Sequence, residues 1–169
     1  LAAAVGVAIS EPDGALDLAI DGADMVAIGS LAAVKGQGGA LTREKIIAAA
    51  ATTFVIICDE SKVVSALSDR PTLVLPVEVL PFGVSWTTRL LAAFGHPTLR
   101  LVPGTQQPMV TDNGNVILDL EAVGYADPEA LSASLHATVG VVEHGLFIGL
   151  AQRAYIGTPT GVQTLLRNS

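Results

Sequence analysis

Three stretches decide how the chain folds: DLAIDGAD at residues 17–24, KGQGGALTREKIIA at 35–48 and FVIICDESK at 54–62. Leu16 to Ile20 reads as a short buried strand, closed by Asp21-Gly22-Ala23-Asp24. Met25 to Val34 is too rich in alanine and glycine to type. Lys35-Gly36-Gln37-Gly38-Gly39 is a loop by composition. Leu41 to Ala51 is a helix with Ile46 and Ile47 turned inward. The β-branched run Thr52 to Cys58 is a strand, closed by Asp59-Glu60-Ser61-Lys62 and followed by a short helix. Strand, loop, helix, strand is the rhythm of an α/β parallel sheet. Continuous apolar runs of this kind mark strands covered on both faces.

A second texture runs from about Pro71 to Gly149. Leu73 to Leu80 is a strand interrupted by Pro76, which suggests an edge or a bend. Ser85 to Phe94 is an amphipathic helix ended by Gly95, and Thr98 to Val102 is a strand. Met109 to Thr111 and Asn115 to Leu120 flank Asp112-Asn113-Gly114, where Asn113-Gly114 is a two-residue hairpin signal because both positions tolerate positive φ. Asp127 to Ala137 is a helix with Pro128 in its first turn, and Val139 to Phe147 is a strand. The order β-α-β-β-α-β is that of a ferredoxin-like sandwich. Beyond it, Ala154 to Ile156 is a strand and Thr160 to Leu166 a final helix.

Composition narrows the function classes. Half of the 169 residues are apolar and 15% are charged, so the chain has material for a core and is not a disordered segment. A net charge of −7 argues against a broad basic footprint for nucleic acid or anionic lipid, while leaving room for a local anion pocket. A single cysteine rules out an internal disulfide and a multi-cysteine metal site, and leans toward a cytosolic protein. The apolar run Ile46 to Cys58 is short of the ~18 residues of a membrane span. LAAAVGVAIS lacks the basic start of a signal peptide. The chain begins with Leu1 rather than Met, so a processed or truncated form is expected.

Three polar clusters fall at strand ends or a helix start: Asp21 to Asp24, Lys35 to Glu44, and Asp59 to Lys62. Ligands of open α/β sheets bind outside the carboxyl ends of the strands. The glycine-rich loop opens a helix whose free N–H groups favour an anion. Each cluster has a plainer reading. DGAD makes a turn, Glu44 complements a helix dipole, and Lys62 is a solvated lysine. The loop is neither a Walker loop nor a dinucleotide fingerprint. What favours a site is their convergence on one edge. Cys58 reads as an inert core thiol, Trp86 as a packing residue, and His96, His136 and His144 show no ligand spacing, so no metal is expected.

The three opening stretches, together with PVEVLP (76–81), VTDNGNVILDL (110–120) and IGTPTGV (156–162), resemble ribose-5-phosphate isomerase of the A type, in order and over nearly the whole chain. The resemblance implies a Rossmann-like parallel sheet, residues 1–70 and 150–169, with an inserted ferredoxin-like α+β lid, residues 71–149. It implies aldose–ketose isomerisation of ribose 5-phosphate and ribulose 5-phosphate in the non-oxidative pentose phosphate pathway, without metal or organic cofactor, in a cytoplasmic homodimer or homotetramer. Glu44 is then the base moving a proton between C2 and C1 through an enediolate, and Lys35 stabilises the oxyanion. Asp21 and Asp24 contact sugar hydroxyls and help open the ring. Gly22, Ala23, Gly36, Gln37, Gly38 and Lys62 complete the substrate site. Met25 stands where the family has glutamate, and Gln37 where it has glycine. The family also carries a lysine-bearing helix and a Gly-Thr/Ser-rich phosphate loop ahead of this region, which nothing in the chain resembles. The competing reading is a sugar-phosphate sensor of the same fold that binds without turning over. A bland third is an assembly fragment that folds only with a partner.

Overall fold

A computed structural model describes residues 3–168. In chain order the strands and α-helices are β1 (Leu16–Gly22), β2 (Met25–Ala27), β3 (Ala33–Val34), α1 (Leu41–Ala50), β4 (Ala51–Asp59), β5 (Val63–Val64), β6 (Leu75–Val79), α2 (Val84–Leu91), β7 (His96–Leu99), β8 (Val116–Glu121), α3 (Pro128–His136), β9 (Val141–His144), β10 (Leu146–Phe147), β11 (Arg153–Thr158) and β12 (Gly161–Leu166). Short 3₁₀ turns lie at Ala3–Val5, Glu60–Lys62 and Leu67–Asp69. Among these residues no helix is long and apolar enough to cross a membrane.

The elements form three sheets. In the first, β1, β4 and β11 run parallel, and β12 closes the edge antiparallel to β11. In the second, the very short strands stand in the order β10-β3-β2-β5. The third is wholly antiparallel in the order β7-β8-β6-β9, with α2 following β6 and α3 following β8. That order and connectivity make the expected ferredoxin-like unit. The Rossmann-like sheet with a ferredoxin-like α+β unit inserted is therefore the fold.

The small middle sheet joins the other two. Neighbouring residues of a strand point to opposite faces. Met25, Val34 and Leu146 accordingly enter the core built on the antiparallel sheet, with Leu75, Val77, Leu91 and Leu118. Val26, Ala33 and Phe147 enter the core of the parallel sheet, with Phe54, Ile56 and Ile156. Met25 is fully buried and belongs to the first of these cores, so its thioether suits the place where the resemblance expects a carboxylate.

Several expectations need correction. Pro76 lies in a central strand, not an edge: β6 is paired on one side with β8 and on the other with β9. The proline is tolerated because its carbonyl accepts from the Gly145 N–H at 2.8 Å, while the Gly145 carbonyl accepts from the Lys35 N–H at 2.8 Å rather than from a residue of β6. The expected strand Val139 to Phe147 divides at that glycine into β9 and β10, which serve different sheets. The DNG hairpin is not a two-residue turn. The Thr111 carbonyl accepts from Gly114 N–H, the Asn115 carbonyl accepts from Thr111 N–H, and only Gly114 of the pair has positive φ, giving a three-residue loop. The expected last helix is strand β12, since Pro159-Thr160-Gly161 turns the chain and Val162 and Thr164 suit a strand. The strand expected at Thr98 to Val102 runs instead over His96–Leu99. The parallel sheet is covered on one face only among the described residues: Leu18, Ile20 and Ile57 are about half-exposed. Ile46 and Trp86 also stand largely in solvent rather than in the core.

Gly145 is where the two cores and the Lys35 backbone meet. A Cβ there would overlap the Lys35 carbonyl oxygen and press on Pro76 Cδ. Gly145→Ala should therefore lower stability by about 1–3 kcal/mol, the usual size of overpacking, read as a drop in melting temperature. An unchanged melt would show that the strand junction yields without cost.

Candidate active site

Lys35 follows the last residue of β3 and is 3% exposed, a burial that an ammonium tolerates only with partners. It has three. Its Nζ lies 2.8 Å from Asp21 Oδ2 and 3.2 Å from Glu44 Oε2, and it donates to the Gly22 carbonyl at 2.5 Å. The Phe147 ring stands with its centroid 5.2 Å away, in range of a cation–π attraction. Asp21 comes from the carboxyl end of β1, and its other oxygen accepts from Gly22 N–H at 2.7 Å. Glu44 comes from the first turn of α1. Its Oε2 is buried and accepts no hydrogen bond among the described residues; Lys35 Nζ opposes it as a charge.

Asp24 sits on the loop between β1 and β2 and accepts from the Gln37 N–H at 3.2 Å. The Gln37 side chain donates to the Val74 carbonyl at 2.9 Å, so the residue that replaces glycine ties the loop to the start of β6. Gly36 is buried at φ +98°, and a Cβ would run into Leu41, which explains glycine there. Gly38 is exposed and Ala23 half-buried, both on the rim. Asp21, Asp24, Lys35, Gln37 and Glu44 thus come together as the sequence reading expects. Lys62 stands one residue before Val63, the register partner of Val26, at the same edge. It makes no ion pair among the described residues.

The remaining polar side chains of Thr42-Arg43-Glu44-Lys45 all reach the antiparallel unit. Thr42 Oγ1 donates to Glu78 Oε2 at 2.5 Å. Arg43 donates to Asn113 Oδ1 at 2.9 Å and to the Asp112 carbonyl at 2.6 Å. Lys45 donates to Glu143 Oε1 and to the His144 carbonyl, both at 2.6 Å. Arg100, paired with Asp119, donates to the carbonyls of Gly36 and Gln37 at 3.0 and 2.9 Å, bracing the loop from above. These bracing residues escaped the sequence reading. The one available signal was Glu78, an acid inside the apolar run PVEV.

His136, Glu143 and His144 converge as a metal triad could, against the expectation from their spacing. The geometry favours a proton network instead. His144 Nδ1 accepts from Leu146 N–H at 3.2 Å, which leaves the proton of the neutral ring on Nε2, facing Ser132 and His136. The Lys45 ammonium already occupies Glu143 Oε1. Burial pushes the His144 pKa down to about 3, and the Lys45 charge pushes the same way. Cys58 is half-buried, and burial raises its thiol pKa, consistent with an inert thiol.

Residues 1–161 match the family described as Ribose 5-phosphate isomerase A (phosphoriboisomerase A). The ribose-5-phosphate isomerase A of Thermomicrobium roseum is 47% identical over 99% of this chain and 71% of that protein. That of Halorubrum lacusprofundi is 43% identical over 99% of this chain and 73% of that protein. The structure of ribose 5-phosphate isomerase A from Methanocaldococcus jannaschii superposes with a TM-score of 0.89 at 34% identity, covering 98% of this chain and 73% of that one. A D-ribose-5-phosphate isomerase in complex with phospho-erythronic acid superposes with a TM-score of 0.85 at 36% identity, covering 95% and 69%.

The His144 environment makes stability depend on pH. An unfolded histidine takes a proton below about pH 6.5, whereas the folded one resists until about pH 3. Stability from this group is therefore full above the unfolded value and declines as pH falls from about 6.5 toward 3, by about 1.4 kcal/mol per pH unit at most. Melting temperature should fall between pH 7 and pH 5, and His144→Asn should flatten that slope. The same slope in both proteins would remove His144 as its source.

Proposed function

The chain belongs to the ribose 5-phosphate isomerase A family and is an isomerase, and we propose that Glu44 and Lys35 carry its interconversion of ribose 5-phosphate and ribulose 5-phosphate. The observation that supports this most is the buried ammonium of Lys35 set against a carboxylate whose Oε2 accepts no hydrogen bond among the described residues. A carboxylate oxygen that accepts no hydrogen bond is free to take a proton. An ammonium fixed beside it is worth most when charge develops on oxygen.

In this reading Asp21 and Asp24, acceptors matched to hydroxyl groups, hold the sugar and assist ring opening. Glu44 removes the C2 proton of the open aldose. The C–H electrons form the C1–C2 double bond, and the C1 carbonyl becomes an oxyanion facing Lys35. The O2 proton passes to O1, O2 becomes the carbonyl oxygen, and Glu44 returns its proton to C1. Gly22, Ala23, Gly36, Gln37 and Gly38 line the substrate rim, and Lys62 supplies a cation at the same edge. The complex of a similar isomerase with phospho-erythronic acid supports a phosphorylated ligand. Retention of both Glu44 and Lys35 favours turnover over a sensor that binds only. Assignment of residues 71–149 to a lid and of 1–70 with 150–169 to the catalytic part goes with this reading, supported by the βαββαβ unit spanning β6 to β9. A cytoplasmic homodimer or homotetramer belongs to it by family resemblance alone.

Two tests follow from these roles. Glu44→Gln in the intact protein should cost about 10²–10⁴ in kcat, the range of general acid–base catalysis, with melting temperature kept; a loss of only severalfold would remove Glu44 as the proton carrier. Because Lys35 serves the oxyanion, EDTA should leave turnover unchanged. Loss on chelation, restored by one divalent ion, would mean that a metal shares that role.

A further inference from the structure

Glu78 lies in the middle of β6, a strand whose five residues are all buried, and is itself 0% exposed. A carboxylate in such a place is costly unless its oxygens are fully bonded. Burial works against its charge, yet four donors more than compensate and hold its pKa below the ordinary carboxylate range. Three of them converge on Oε1: Thr111 Oγ1 at 2.9 Å, Asn113 Nδ2 at 3.0 Å and Asn115 Nδ2 at 2.8 Å. These belong to the hairpin between Val110 and Val116. The fourth is Thr42 Oγ1, alone on Oε2 at 2.5 Å.

Thr42 is the second residue of α1, two before Glu44. The Glu44 Oε2 atom accepts no hydrogen bond among the described residues, so its place opposite Lys35 is set by the backbone that carries it. That backbone is held by its neighbours. We propose that Glu78 is a positioning residue for the isomerisation: through Thr42 it locks the first turn of α1 to the antiparallel sheet, so that the Glu44 carboxylate stays in register with Lys35 and the sugar carbons. The TDNGN hairpin then acts as the clamp that keeps Glu78 charged and correctly turned. Arg43, bonded to Asp112 and Asn113 of the same hairpin, steadies the turn from its other side. The inference rests on Glu44 as the proton carrier.

The test uses Thr42→Val, Thr42→Ser and Glu78→Gln in the intact protein, with Glu44→Gln in parallel, measuring kcat, KM and melting temperature. Valine keeps the shape of threonine and removes only the hydroxyl. Small displacements of a reacting group cost up to about 10²-fold. Thr42→Val should therefore lower kcat by roughly tenfold or more, and KM should move by less than about threefold, since a transition-state interaction is lost and not ground-state binding. Serine, which restores the hydroxyl, should return most of kcat. Glu78→Gln should show the same kcat-weighted loss at a temperature where it is folded. A folded Thr42→Val with kcat within about twofold of the parent, or a loss that serine does not repair, overturns the proposal. Activity retained by Glu44→Gln would overturn the catalytic reading beneath it. An inactive Glu44→Gln beside a fully active Thr42→Val would remove only the role of Glu78.

Discussion

The structure turns on one buried ammonium. Lys35 can be 3% exposed only because Asp21, Glu44 and the Gly22 carbonyl surround it. Those partners come from the carboxyl end of β1 and from the first turn of α1, so satisfying one charge aligns the strand, the helix and the lysine's own segment after β3. Its backbone N–H is fixed as well, by the carbonyl of Gly145 at the division between β9 and β10. The small middle sheet exists to hold this point: its residues alternate between two cores, and its end delivers the lysine. A second lysine uses the same aromatic ring, since Lys45 Nζ lies 5.1 Å from the Phe147 centroid. Phe147 therefore neighbours both the buried Lys35 ammonium and the cation that fastens the helix.

The segment Thr42-Arg43-Glu44-Lys45 divides its labour. Three side chains reach the antiparallel unit, to Glu78, the hairpin and Glu143, and the fourth faces Lys35. Proton transfer between adjacent carbons requires a base near both. A base that forms many hydrogen bonds would be well placed but reluctant. Here the neighbours provide the placement, and Glu44 keeps an oxygen that accepts no hydrogen bond among the described residues. This also explains why the inserted unit is more than a cover. Its strands and hairpin set where the helix starts, and Arg100 from the same unit fixes the carbonyls of the loop ahead of it.

Much of this was legible in the residues. The apolar runs ending in small and charged clusters marked β1 and β4, and the β-α-β-β-α-β order marked the inserted unit. Asp21, Asp24, Lys35 and Glu44 could be placed on one edge by the rule that sites lie beyond strand ends. What escaped was set by tertiary contacts. Pro76 looked like an edge residue because its missing donor is excused only by the distant pairing of Gly145 with Lys35. β12 looked helical because a strand paired on one side and otherwise exposed carries no burial pattern. Glu78 showed only as an acid inside an apolar run and Arg100 not at all, because their partners lie tens of positions away. His136 and His144 meet across a helix and a strand, which spacing alone does not reveal.

The central claim is that Lys35 and Glu44 face the reacting carbons together. A crystal structure of the intact protein with phospho-erythronic acid would test it most directly, because the acid group of that ligand presents paired oxygens like an enediolate. The account predicts that an oxygen of that group lies within hydrogen-bonding distance of Lys35 Nζ, with the Glu44 carboxylate against the adjacent carbon and Thr42 still bonded to Glu78. A ligand whose acid group sits away from Lys35, with Glu44 turned to solvent, would contradict it.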